Sequence, residues 1–60
     1  MKRWYCIRIQ GDKYIAQYKE NCGDCWHTFL GDAATWEGAY DILCEHATPA
    51  ALAVRFVGTY

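Results

Sequence analysis

Two runs rich in β-branched and aromatic residues, RWYCIRIQ (3–10) and KYIAQYK (13–19), stand on either side of a single Gly-Asp pair. This arrangement constrains the fold more than any other feature. Such runs favour strands, and a two-residue connection between them leaves only a tight hairpin. Gly11 at the first central position suits a type II′ turn, which matches the twist of the strands it joins. The turn also fixes the register. Ile9 faces Tyr14, Ile7 faces Ala16 and Tyr5 faces Tyr18, which gives one apolar face. The other face carries Trp4, Cys6 and Arg8 against Lys19, Gln17 and Ile15. We expect the first face to form the core and the second to be largely exposed.

ENCGDC (20–25) is rich in turn residues, and WHTFLG (26–31) reads as a short third strand ended by Gly31. DAATWEGAYDILCEHATP then shows helical spacing. Asp32 and Thr35 are its N-cap candidates, and Pro49 stops it no later than Thr48. At about 100° per residue, Trp36, Ala39, Tyr40, Leu43 and Ala47 share one arc, while Glu37, Asp41 and Glu45 lie opposite. ALAVRFVGTY (51–60) alternates Leu52, Val54 and Phe56 with Ala53, Arg55 and Val57, and reads as a closing strand. The expected fold is therefore α+β, in the order β-β-(β)-α-β. A small antiparallel sheet of three or four strands would carry one amphipathic helix on one face. With no linker or repeat, residues 1–60 form a single domain.

Sixty residues lie near the lower limit for a chain that folds without a staple, so a metal, a disulfide or self-association would help. The composition, 53% hydrophobic with ten aromatics, supplies a thin but real core. A net charge of −1 gives neither the basic excess of nucleic-acid binders nor the acidity of DNA mimics. Direct nucleic-acid binding is disfavoured on that ground. Arg8 interrupts the first apolar run too early for a signal peptide, and no segment reaches the length of a membrane span. The expectation is a cytoplasmic protein, where thiols are kept reduced.

The four cysteines raise a metal question. Cys22 and Cys25 have knuckle spacing, and Cys44 and His46 follow about twenty residues later, which suggests a Cys3His zinc site. Helix geometry objects, because residues two apart on a helix point about 200° from each other. A workable site would use Cys22, Cys25, Cys44 and His27, or His46 as fourth ligand if the helix stopped at Cys44. The competing reading, plain thiols and no cofactor, carries more weight, since a buried cysteine behaves as a small hydrophobe. An enzyme is not expected. The chain contains no serine, no phosphate-binding or dinucleotide motif, and little room to enclose a substrate.

Protein binding remains. Trp4, Arg8 and Ile15 on the outer sheet face, with Trp26 and Arg55, have the Trp/Arg bias of interface anchors. A sheet this small also exposes an edge strand, which invites pairing with a partner or with a second copy as a homodimer. WYCIRIQGDKYIAQY, CWHTF and TWEGAYDIL together resemble the small β-β-α-β proteins of phages and prophages, some of which are similar to anti-CRISPR proteins. GDAATWEGA (31–39) further resembles the strand-to-helix junction of HicB-like antitoxins. The first resemblance implies a non-enzymatic, phage- or mobile-element-encoded inhibitor that binds a host protein or nucleoprotein complex. The alternative is a zinc-stabilised domain that binds nucleic acid or a nucleoprotein complex.

Overall fold

A computed structural model describes residues 3–20 and 28–60. The order is β1 (Trp4–Gln10), β2 (Lys13–Lys19), β3 (Thr28–Ala33), α1 (Trp36–His46), α2 (Pro49–Arg55) and β4 (Phe56–Thr59). The strands form one sheet in the order β3-β2-β1-β4. The α+β class stands, with strands and helices packed together.

The hairpin has the register its turn dictates, with Tyr5 opposite Tyr18, Ile7 opposite Ala16 and Ile9 opposite Tyr14. Gly11 has φ of 63° and Asp12 stays at negative φ, as a type II′ turn requires. β3 adds antiparallel to β2, with a register shift between Ala16 and Gln17 that leaves Leu30 as the extra residue.

The C-terminal quarter departs from expectation. Residues 49–55 are a helix, and only 56–59 form a strand. Alternating Leu52, Val54 and Phe56 suggested a strand, but a short apolar run does not distinguish strand from helix. Three other features decide for helix. Pro49 occupies the first turn, Ala50, Ala51 and Ala53 have high helix propensity, and the Thr48 hydroxyl accepts from the Ala51 N–H at 3.2 Å. The two helices carry the chain back across the sheet, so β4 pairs parallel with β1 and the sheet is mixed. Leu52 is still buried, but from a helix, while Val54 is 77% exposed.

Both helices lie on one face of the sheet. Tyr5, Ile7, Ala16, Ala39, Leu43 and Leu52 form the buried core, with Trp36, Tyr40, Ile42 and Phe56 packed around it. Ile9, also expected in the core, is 51% exposed because it sits at the turn end of the hairpin, past the main cluster. α1 rides close on β3. A Cβ on Gly38 would lie 2.8 Å from that of Ala33, so only glycine admits this approach. Trp36 stacks on Tyr40 at 5.0 Å, and Phe56 meets Tyr40 edge-on at 5.7 Å, which anchors β4 under the helix.

GDAATWEGA does join a strand to a helix: β3 ends at Ala33 and α1 starts at Trp36. Of the two N-cap candidates, Thr35 fills the role, its hydroxyl accepting from the Gly38 N–H at 3.1 Å. Thr35→Ala should cost about 1 kcal/mol, read as a fall in melting temperature of about 4–8 °C.

Candidate functional site: the outer face of the sheet

With both helices on the inner face, the alternation of the strands assigns the other set of side chains to the outer face. Cross-strand pairing arranges them in rows. Arg8, Ile15 and Asp32 form one row, and Cys6, Gln17 and Phe29 form the next. Trp4 and Lys19 pair at the far end. Tyr60 enters from the β4 side. Its N–H donates to the Ile7 carbonyl at 2.9 Å, and its carbonyl accepts from the Ile9 N–H at 2.6 Å.

The centre of this face differs from the expectation that it would be exposed. Cys6 is fully buried and Gln17 is 6% exposed. The Gln17 amide donates to the Tyr60 hydroxyl at 2.7 Å and contacts Cys6 Sγ at 3.6 Å. To reach Gln17 on β2 from beside β1, the tyrosine side chain crosses the position of Cys6. It thereby covers the thiol and leaves its own ring half-exposed. The sequence signal for this arrangement was slight, since no local pattern ties Tyr60 to Gln17 on β2.

Burial raises the Cys6 thiol pKa, although the Gln17 hydrogen bond opposes the shift. The Tyr60 phenol is raised in the same direction, first by desolvation and then by the neighbouring thiol. Because the folded state holds the Cys6 proton more tightly, its contribution to stability is complete below the ordinary thiol pKa and is lost as pH rises through the raised value. Denaturant midpoints between about pH 8 and about pH 10, a range that brackets an ordinary thiol, should therefore fall less steeply for Cys6→Ala than for wild type. Alkylation followed by peptide mapping should label the exposed free thiol of Cys44 before that of Cys6, and Cys6 only on unfolding.

Around this centre lie exposed anchors. Phe29 is 61% exposed, Tyr60 52% and Val57 59%. Trp4 and Ile15 are half-buried beside them, and Arg8 is exposed. Lys13 meets Asp32 at 3.9 Å, a solvated pair of small energetic weight. The described charges of the face, Arg8, Lys13 and Lys19 against Asp32, are basic on balance. The solvent side of α1 bears exposed Glu37, Asp41 and Glu45. The molecule is thus electrostatically two-sided despite its near-zero net charge.

Trp4, Arg8 and Ile15 thus share the outer face. Arg55 does not alternate within a strand. It closes α2, is half-buried, and holds Nη1 buried without a hydrogen-bond partner. Phe29 and Tyr60 join the face although sequence reasoning did not select them. Phe29 was not recoverable from the strand period of HTFLG, because the register shift at Leu30 places it on the face opposite Gly31. Trp26, Cys22, Cys25 and His27 lie outside the described residues.

α1 runs through His46, so the arrangement in which the helix stops at Cys44 to free His46 is not adopted. Among the described residues, no three His, Cys, Asp or Glu side chains are grouped to hold a metal. A zinc site built on Cys22, Cys25, His27 and Cys44 would show about one equivalent of metal and unfolding on chelation. No helix among the described residues is long and apolar enough to cross a membrane.

Comparison with protein-family models, curated proteins and solved structures finds no match to this chain.

Proposed function

We propose that the chain is a small non-enzymatic binding protein that docks on a macromolecular partner through the outer face of its sheet. The observation that carries this reading is the clustering there of exposed Phe29 and Tyr60 with Trp4, Ile15 and Arg8. Exposed aromatic and arginine side chains are the residue types enriched at the centres of protein interfaces. Its fit is to a protein surface of acidic balance carrying apolar pockets, because Arg8, Lys13 and Lys19 outnumber Asp32.

Inhibition of a host defence complex in the cytoplasm, by a phage- or mobile-element-encoded protein, is the specific form we propose. It is supported by the pattern resemblance of the hairpin and helix segments. Its test is affinity capture from host lysate with wild type and an Arg8→Ala/Phe29→Ala variant side by side. One partner should be held by the wild type, lost by the variant, and released as salt is raised. Equal recovery by both proteins would refute the reading.

A further inference from the structure

Tyr60 is held both by its backbone and by its phenol. The Ile7 carbonyl accepts from its N–H, and its carbonyl accepts from the Ile9 N–H. That parallel pairing sets Tyr60 opposite Arg8, with both side chains on the outer face. The phenol accepts from the Gln17 amide at 2.7 Å and also hydrogen-bonds the Cys6 thiol. Gln17 is itself fixed. It is 6% exposed, lies opposite Cys6 on β2, and its amide nitrogen is 3.6 Å from the sulfur. A buried amide left unpaired is costly, so Gln17 and Tyr60 hold each other in place. Tyr60 is nonetheless 52% exposed.

From this geometry we infer that Gln17 is a positioning residue, which locks Tyr60 in one rotamer and makes its ring a preformed anchor of the docking face. The inference rests on the docking reading and deepens it. A side chain that is mobile when free loses that freedom on binding, whereas one fixed beforehand has no such cost left. Tyrosine suits this role, because it offers a large rigid area for few side-chain torsions. The chemistry of the partner follows. With the hydroxyl engaged inside the molecule, the partner meets ring carbons, which calls for an aliphatic or aromatic side chain. Arg8 stands beside the ring, so a carboxylate next to that side chain completes the match. The ligand class is a protein segment that presents an apolar residue flanked by an acidic one.

The free protein gives the first test. Nuclear Overhauser contacts from the Tyr60 ring to the Cys6 β-protons and the Gln17 side-chain amide should be present in wild type. The contact to Cys6 should fade in Gln17→Met, which keeps the side-chain length and removes the donor. A rotationally averaged Tyr60 in wild type would overturn the inference. The second test uses a random peptide library displayed on phage and selected on wild type. It should enrich an apolar residue next to Asp or Glu, and no enrichment of that pairing would also overturn the inference. In calorimetry with the enriched peptide, Gln17→Met and Tyr60→Phe should each weaken binding about threefold to tenfold. The double variant should lose no more than either, because both break one bond. Tyr60→Ala, which removes the ring, should weaken binding more than about thirtyfold. Additive losses, or wild-type affinity in Tyr60→Ala, would contradict the positioning role. Should Gln17→Met fail to fold, wild-type affinity in Tyr60→Phe would contradict it alone. Equal binding of the peptide by Arg8→Ala/Phe29→Ala would instead count against the docking reading itself.

Discussion

Replacing Leu43 with alanine should leave the protein largely unfolded at room temperature. Leu43 is fully buried at the centre of α1, against the apolar core formed with Ile7, Ala39 and Leu52. Truncating a buried leucine costs about 2–5 kcal/mol, the lost transfer energy plus the cavity left behind. A core in a chain of this size rarely supplies more than about 3–5 kcal/mol in total. The loss is therefore comparable to the whole stability. Collapse around the cavity offers little relief, because Gly38 already holds α1 tight against Ala33. Circular dichroism and urea titration check this. The neighbouring Cys44→Ala is the control, and at an exposed position it should stay within about 0.5 kcal/mol of wild type.

The second large effect concerns binding. Arg8 and Phe29 are both exposed, so their removal leaves the core untouched, unlike removal of half-buried Trp4. A hot-spot side chain contributes at least about 2 kcal/mol, roughly thirtyfold in affinity. Arg8→Ala/Phe29→Ala should therefore weaken the captured partner's binding by more than about a hundredfold, with a melting temperature close to that of wild type. Glu37→Ala/Asp41→Ala, on the opposite side of the molecule, should bind as wild type does. Titration by calorimetry against the purified partner separates these outcomes.

The register of the hairpin was legible in the sequence, because a two-residue turn leaves one register, whereas the exposure of Ile9 and the burial of Cys6 and Gln17 were not. The helix was legible for a similar reason: its apolar arc and the Thr35 cap agree. The C-terminal segment was not. Leu52, Val54 and Phe56 satisfy a strand period, and the helix depends on Thr48, Pro49 and the alanines around them. The direction of β4 was missed as well: the helical crossover from β3 returns the chain parallel to β1, which makes the sheet mixed and not antiparallel. Burial of Cys6 was also hidden. It depends on Tyr60 reaching across β1 to Gln17, a contact between residues 43 positions apart that no local pattern encodes. The candidate face was half visible, with Trp4, Arg8 and Ile15 assigned by the hairpin register. Phe29 and Tyr60 required knowing where β3 and β4 join the sheet.

Site-specific photo-crosslinking tests the docking face most directly. A benzoylphenylalanine at position 29 samples the outer face of the sheet, and one at position 41 samples the solvent side of α1. The account predicts that the Phe29 probe captures the partner in host lysate, that unlabelled wild-type protein competes the adduct away, and that the Asp41 probe captures nothing comparable. A competed adduct at position 41 with none at position 29 would contradict it.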